Sequence, residues 1–182
     1  MGRLILVLGG TRSGKSAFAE ELVRDAEAAG RKAVYIATYE RLPGDEEMES
    51  RVKRHRRRRP LSWSTVEEPR DLEGALLKME ENTVALVDCL SVWVSNLLLA
   101  EAGGEAGEAE DAILRRTKAF CSGAQSSPAD VVAVSGETGW GVVPATSLGR
   151  LYRDILGAVN QEAARHADEV WLVIAGLPQR LK

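Results

Sequence analysis

The stretch Gly9-Gly10-Thr11-Arg12-Ser13-Gly14-Lys15-Ser16 matches the phosphate-loop pattern G-x-x-x-x-G-K-[ST] at every position. The apolar run 4–8 precedes it, and residues 17–23 have the apolar spacing of a helix. In such a strand-loop-helix unit, glycines let successive backbone N–H groups point inward, and the helix adds the positive end of its dipole. The sequence therefore predicts a turn that binds an anionic polyphosphate.

Two side chains of this loop carry the chemistry. We predict that all eight residues contact the phosphates of a nucleotide, with Lys15 reaching the β- and γ-phosphates as a catalytic residue. The Ser16 hydroxyl is predicted to hold Mg²⁺. The alternative is a glycine-rich turn that binds nothing, and the match at every position together with the strand-helix context disfavours it.

Length and composition restrict the class of protein. With 182 residues, of which 45% are hydrophobic, residues 1–182 are predicted to form a single domain around one core. A net charge of −3 argues against general affinity for nucleic acids or membrane surfaces. Cys89 and Cys121 are too few and too far apart for a disulfide framework, which favours a cytoplasmic location. No run of about 20 apolar residues predicts a membrane span.

Apolar segments of strand length alternate with segments of helical spacing. Strands are predicted over residues 3–8, 32–37, 63–66, 83–88, 130–135 and 169–175. Helices are predicted over residues 15–29, 46–59, 71–80, 90–99, 111–122 and 148–166. The small, acidic residues 101–110 are predicted to form an exposed loop. This alternation predicts an α/β fold of the RecA-like P-loop type, with a mostly parallel sheet flanked by helices.

The loops that follow parallel strands meet at one edge of the sheet, where ligands bind. Asp88 ends an apolar strand there and is predicted to be a second Mg²⁺-directed carboxylate, although a carboxylate capping the next helix is the alternative. Thr38 is expected to face the same site. Glu137, in a glycine-rich loop after strand 130–135, could serve as acid, base or ribose ligand, and an ordinary flexible turn is equally compatible with the spacing.

His55 lies among seven basic residues between positions 51 and 59. Such a segment has three interpretations: a solvated helix face, a nucleic-acid contact, or an anion clamp around a histidine that attacks phosphorus. Nearby cations lower the pKa of an imidazole and keep it neutral and nucleophilic. Composition alone favours the solvated face. His166, at a predicted helix end, is expected to cap that helix.

Together these stretches resemble the bifunctional adenosylcobinamide kinase/adenosylcobinamide-phosphate guanylyltransferase family of cobalamin biosynthesis, nearly from end to end. The phosphate loop is shared by many unrelated enzymes, so other segments make the resemblance specific. These are the segment with His55-Arg56 and the helix with Asn160-Gln161. The resemblance is also carried by Tyr35-Ile36-Ala37-Thr38, Glu67-Glu68-Pro69, Val87-Asp88-Cys89-Leu90 and Gly141-Val142-Val143-Pro144.

The resemblance implies that His55 accepts GMP from GTP, which reverses the preference based on composition. It implies phosphorylation of adenosylcobinamide by ATP or GTP, followed by GMP transfer through a guanylyl-histidine intermediate. By the same resemblance, Thr38, Arg56, Glu67 and Glu137 are expected to contact nucleotide, with arginines beside His55 steadying the α-phosphate. A homo-oligomer is also implied.

This chain departs from the family pattern at two positions. The family commonly has Ser-Asn-Glu-Val-Gly where this chain has Ser135-Gly136-Glu137-Thr138-Gly139, and Tyr39 stands where a small residue is usual. Two alternatives to the bifunctional enzyme are a P-loop kinase that has lost nucleotidyl transfer and a RecA-like module whose arginine helix contacts nucleic acid. We expect the bifunctional enzyme, with no nucleic-acid partner.

Overall fold

The computed structural model describes residues 2–40, 59–101 and 106–182. The strands are β1 (Leu4–Gly9), β2 (Lys32–Ala37), β3 (Ser64–Glu67), β4 (Thr83–Asp88), β5 (Asp130–Gly136), β6 (Glu169–Ile174) and β7 (Leu177–Arg180). The helices are α1 (Lys15–Ala28), α2 (Leu72–Leu77), α3 (Leu90–Ala100), α4 (Ala106–Ser126) and α5 (Ser147–His166).

The strands of the described residues form one sheet in the order β3-β2-β4-β5-β1-β6-β7. Every neighbouring pair is parallel except β6 and β7, which are antiparallel. Parallel strands covered on both faces read as continuous apolar runs, and residues 83–87 of β4 are all buried. The predicted α/β fold with a mostly parallel sheet is confirmed.

The core lies on both faces of this sheet. On one face α1 packs through Ala19 and Val23 against a cluster that includes Leu86 and Trp63. On the other face α2 to α5 bury a larger cluster, in which the rings of Trp93 and Phe120 lie 6.2 Å apart. Within the described part of the chain, no helix is long and apolar enough to cross a membrane.

Three predicted helix boundaries are wrong; one is the carboxyl end of α4, predicted at residue 122 and observed at Ser126. Residues 106–110, expected in a loop, form the first turns of α4 because alanine and glutamate are good helix formers and Ala109 is small enough to be buried in the core. The helix expected to end at Glu80 is α2, which ends at Leu77. At its other end the N-cap residue Asp71 accepts a hydrogen bond from the Gly74 N–H at 3.0 Å. The predicted helix 46–59 lies outside the described residues, except for Arg59.

Strand β7 was not predicted from the sequence. A two-residue turn with positive φ at Ala175 and Gly176 reverses the chain after β6, and β7 pairs antiparallel with β6. All four residues of β7 are exposed, and Pro178 is tolerated because β7 is an edge strand. An exposed strand without apolar alternation has no periodic signal.

Candidate active site

The phosphate loop connects β1 to α1 and has its tight backbone at two glycines. Gly14 has φ +98°, a left-handed conformation that side chains rarely adopt. At Gly9 an added Cβ would lie 2.7 Å from the Val173 carbonyl oxygen and would also meet the Ser13 side chain. Arg12, between them, has φ 58° and an exposed side chain. The loop therefore follows the path that its glycines predict.

The amino end of α1 has no capping side chain. Its N-cap residue is Gly14, so no side chain caps the helix, and no acidic residue lies in the first turn. The first N–H groups of a helix have no partner within the helix and favour an anion. The Lys15 ammonium donates a hydrogen bond to the Gly10 carbonyl at 3.1 Å, so its positive charge lies over the loop.

Two other loops hold the phosphate loop from either side. The Gly176 N–H in the β6-β7 turn donates to the Ser13 carbonyl at 2.7 Å, and the Glu137 N–H after β5 donates to the Gly9 carbonyl at 3.0 Å. The Ser13 hydroxyl is buried and has no hydrogen-bond partner in the described part of the chain. A buried hydroxyl without a partner is costly unless a further group reaches it, which fits a ligand-binding loop.

Asp88 lies at the carboxyl end of β4 and is held by β2. The Tyr35 hydroxyl donates to Asp88 Oδ2 at 2.8 Å. Thr38 fixes the backbone that follows: its hydroxyl accepts from the Cys89 N–H at 2.8 Å and donates to the Cys89 carbonyl at 2.9 Å. Thr38 is fully buried, and these two hydrogen bonds fix the backbone at the end of β4.

The electrostatics of Cys89 link Asp88 to the phosphate loop. Burial and the Asp88 charge raise the pKa of the Cys89 thiol to about 11, and the nearby Lys15 charge lowers it without overcoming them. The thiol therefore stays protonated at neutral pH. Lys15 and Asp88 both act on this one side chain, although β5 separates β4 from β1 in the sheet.

Gly136, at the carboxyl end of β5, is held on both sides of its peptide. Its N–H donates to Ser91 Oγ at 2.5 Å, and its carbonyl accepts from Asn160 Nδ2 at 2.9 Å. Ser135 Oγ donates to Asn160 Oδ1 at 2.6 Å. A Cβ at position 136 would lie 2.9 Å from Ser91 Oγ, so the asparagine usual in the family would require Ser91 to shift.

The structure brings some of the predicted site residues together. Residues 9–16 and Glu137 are in direct contact, whereas Asp88 and Thr38 lie on the same sheet edge beyond β5. Glu67 ends the edge strand β3, four strand spacings or roughly 19 Å from β1, and is exposed. Its predicted nucleotide contact stays a prediction. His55 and Arg56 lie outside the described residues.

His166 lies just before the amino end of β6, whereas the phosphate loop follows the carboxyl end of β1. It is the last residue of α5, and its Nε2 lies 3.3 Å from Glu162 Oε1. The next residues return to the start of β1, where the Asp168 N–H donates to the Leu4 carbonyl at 2.8 Å. The imidazole contacts the Glu162 carboxylate rather than a helix carbonyl, so the expected capping role of His166 stays a prediction.

Sequence reasoning missed the groups that support the site. Tyr35 and Asn160 were noted only as part of the family resemblance, and Ser91 was assigned no role. The available signal was weak: a tyrosine within an apolar strand, and an asparagine within a predicted helix, where the structure leaves it only 6% exposed.

The Tyr39 hydroxyl is buried without a hydrogen-bond partner among the described residues, and nothing in the structure explains this departure from the family pattern.

The residues at this edge fit a nucleotide-bound Mg²⁺ ion. Mg²⁺ in nucleotide sites uses one or two protein oxygens together with phosphate oxygens and water. The Ser16 hydroxyl and the Asp88 carboxylate are oxygen ligands of this kind. Over residues 2–40, 59–101 and 106–182 no group of three or more His, Cys, Asp or Glu side chains forms an all-protein metal cage.

The sheet and its phosphate loop define a P-loop nucleotide-binding protein. Among solved structures, the chain is similar to an ATPase domain, with a TM-score of 0.55 and 12% identity over 93% of this chain and 68% of that one. It is also similar to the flagellar accessory protein FlaH from Methanocaldococcus jannaschii, with a TM-score of 0.50 and 13% identity over 100% of this chain and 78% of that one. These similarities concern the fold alone.

Sequence comparison gives the particular family. The model of the cobinamide kinase/cobinamide phosphate guanyltransferase family matches residues 5–181, and this chain belongs to that family. A bifunctional adenosylcobalamin biosynthesis protein from Escherichia coli is 39% identical over 98% of this chain and 99% of its own length. One from Pseudomonas aeruginosa is 42% identical over 97% of this chain and 96% of its own length. The predicted family membership is confirmed.

Proposed function

We propose that this chain phosphorylates the hydroxyl of adenosylcobinamide with ATP or GTP and then transfers GMP from GTP to the new phosphate. The observation that carries the kinase half is the uncapped amino end of α1 behind a loop shaped by Gly9 and Gly14, with the Lys15 ammonium over it. Membership of the family, over nearly the whole chain, supports both halves.

In the first reaction the hydroxyl oxygen of the substrate attacks the γ-phosphorus. The bond from that phosphorus to the β-γ bridging oxygen breaks, the hydroxyl loses its proton, and the nucleoside diphosphate leaves. The N–H groups of the phosphate loop and Lys15 hold the β- and γ-phosphates in place and offset the charge that moves onto the bridging oxygen. Ser16 and Asp88 would hold Mg²⁺, which when bound would neutralise charge on the same phosphates.

In the second reaction a nitrogen of His55 attacks the α-phosphorus of GTP, and pyrophosphate leaves. An oxygen of cobinamide phosphate then attacks the same phosphorus, the bond to His55 breaks, and the histidine is regenerated. Dividing the transfer in this way replaces one difficult step with two easier ones. Arg56, beside His55 in the sequence, is proposed to steady the α-phosphate, and Thr38, Glu67 and Glu137 are proposed nucleotide contacts.

Covalent labelling tests the second reaction. With Mg²⁺ and GTP labelled at the α-phosphate, the denatured protein is expected to retain an acid-labile, alkali-stable label. The His55→Ala variant should lose it. His166→Ala is the matched control, because it removes the other histidine of the chain, which lies at the sheet edge opposite the phosphate loop. A native protein without label, or equal labelling of His55→Ala, would refute the guanylyl-histidine step.

A Lys15→Ala variant tests the first reaction. Lys15→Ala is expected to lower the rate of cobinamide phosphorylation by about 10²–10³-fold, as removal of a charge-stabilising group does. Its circular dichroism spectrum should stay that of the native protein. Phosphorylation at the native rate in Lys15→Ala would show that the phosphate loop does not serve the kinase reaction.

A further inference from the structure

Tyr35 connects two charged groups that come from different parts of the chain. It lies in the middle of β2 and is only 4% exposed. On one side its hydroxyl donates to Asp88 Oδ2 at 2.8 Å. On the other side the Arg59 guanidinium lies 3.6 Å from the centre of its ring. No step of the proposed reactions uses this tyrosine.

We propose that Tyr35 is a positioning residue that fixes the Asp88 carboxylate in the orientation required for a nucleotide-bound divalent cation, with Arg59 holding the tyrosine ring in place. This inference rests on the proposed function, since it assumes that Asp88 serves the cation.

Thr38 and Tyr35 hold different parts of Asp88. Thr38 fixes the backbone on the carboxyl side of Asp88 through two hydrogen bonds to Cys89, and its own N–H donates to the Asp88 carbonyl at 3.3 Å. The last torsion of an aspartate side chain has a broad preference. A hydrogen bond to Oδ2 restricts that torsion. Side chains that orient metal ligands in this way typically change metal affinity 10–100-fold.

The Tyr35 hydroxyl is a suitable donor for orienting the Asp88 carboxylate. A hydroxyl orients a carboxylate without neutralising it, whereas a lysine or arginine at position 35 would compete with a cation for the negative charge. A tyrosine hydroxyl has an ordinary pKa of about 10, so it is protonated at neutral pH and can donate.

Arg59 contacts the ring of Tyr35 with its guanidinium group. Cation-π contacts of arginine with aromatic rings are attractive, and more strongly so when the pair is desolvated. Tyr35→Phe keeps the ring and its contact with Arg59 and removes only the hydroxyl.

The experiment compares Tyr35→Phe with Tyr152→Phe. The Tyr152 hydroxyl is also partly buried and donates to the Ser91 carbonyl at 3.0 Å, so the control removes the same atom and a similar hydrogen bond. Three quantities are measured: the Mg²⁺ concentration at half-maximal phosphorylation, the affinity for a fluorescent GTP analogue with and without Mg²⁺, and the melting temperature.

For Tyr35→Phe we expect the half-saturating Mg²⁺ concentration to rise about tenfold. The gain in analogue affinity on adding Mg²⁺ should shrink, while the affinity without Mg²⁺ stays at the native value. For Tyr152→Phe both Mg²⁺ quantities should stay native. A role in stability alone would lower the melting temperature and leave the Mg²⁺ quantities unchanged, and that result would overturn the inference.

Asp88→Asn separates this inference from the function on which it rests. If Asp88→Asn shifts the Mg²⁺ dependence and Tyr35→Phe does not, the positioning role is wrong and the proposed cation role of Asp88 stands. If Asp88→Asn leaves the Mg²⁺ dependence native, both are wrong. A shift in both variants, with none in Tyr152→Phe, supports the inference.

Discussion

Gly9 has less room for a side chain than the other two glycines of the phosphate loop. Two elements close on it: the Ser13 side chain from the loop itself and the Val173 carbonyl from β6. Gly10, one position later, has open space where a Cβ would lie. The motif requires glycine at position 9 and accepts any residue at position 10, and the space around the two residues differs in the same way.

This difference gives a paired prediction. Gly9→Ala is expected to lower the free energy of unfolding by about 1–3 kcal/mol, because the Val173 backbone has to move. Gly10→Ala is expected to change it by less than about 0.5 kcal/mol. Urea unfolding of both variants, without nucleotide, measures the difference. Equal losses in the two variants would show that the contacts at Gly9 do not constrain the loop.

At the scale of single residues, the sequence allows roles to be predicted for residues that form one contiguous motif. Residues 9–16 form a continuous motif, so their roles could be assigned together. The hydrogen bond between Tyr35 and Asp88 joins residues that are 53 positions apart, and no periodicity predicts which carboxylate a buried tyrosine meets. The buried hydroxyl of Thr38 was likewise expected at the site, but its bonds to Cys89 could not be read from the sequence.

Helix α5 shows how an element can be completed by a residue far along the chain. The Lys182 ammonium donates to the carbonyls of Ala164, Arg165 and Ala167 at 3.2, 3.1 and 2.6 Å. The last carbonyls of a helix have no partner within it, and a cation there also complements the helix dipole. Lys182 therefore caps α5 from outside the helix.

Lys182→Met is expected to lower the free energy of unfolding by about 1–2 kcal/mol, because the α5 carbonyls lose a charged donor. Lys32→Met provides the comparison. Lys32 pairs with Glu80 where both side chains are about 70% exposed. Exposed ion pairs contribute little, so this variant should stay close to the native stability. Thermal or urea unfolding measures the stability of both variants. A Lys182→Met variant as stable as Lys32→Met would contradict the capping role.

Elements with a buried face could be predicted, and elements without one could not. The buried strands β4 and β5 and the apolar helix α3 were placed to within one residue of their observed ends. Strand β7 has four exposed residues, so its pairing with β6 depends on the turn at Ala175 and Gly176 rather than on an apolar pattern. Helix α4 began earlier than predicted because alanine gives a weak signal yet fills a core position at Ala109.

At the scale of the whole molecule, Asp130 joins the amino ends of several strands. It begins β5, accepts a hydrogen bond from the Arg3 N–H at 2.9 Å before β1, and pairs with Arg31 before β2. Arg31 also donates to the Thr83 carbonyl of β4 at 2.8 Å. Burial acts to raise the pKa of Asp130, but the hydrogen bonds and charges of Arg31 and Arg3 outweigh it and hold the pKa below its ordinary value.

The sign of this shift predicts the response to acid. The contribution of Asp130 is complete above the pKa of the unfolded chain, about 3.9, and is lost as the pH falls through the lower folded pKa. We expect Asp130→Asn to lose less stability than the native protein between pH 6 and pH 3, as measured by urea midpoints. Arg31→Met, which removes the partner, should reduce the pH dependence similarly. Parallel curves for all three proteins would refute this role.

The alternation of strands and helices sufficed to predict the sheet, because right-handed crossovers restrict the arrangements of a parallel sheet. Strand order and the distance between sites required the structure. Glu67 and the phosphate loop both follow parallel strands, yet three other strands separate β3 from β1.

The position of β1 also has a consequence for how the protein is made. Both hydrogen-bonded neighbours of β1, strands β5 and β6, and the turn at Gly176 that holds Ser13, come from the last third of the chain. The ribosome therefore delivers the nucleotide motif early and its supporting strands late, and pairing of such distant segments is slow. A nascent chain can contain every residue of the motif and still lack the pocket, so cellular ATP and GTP can stabilise this protein only after residues 169–176 have emerged.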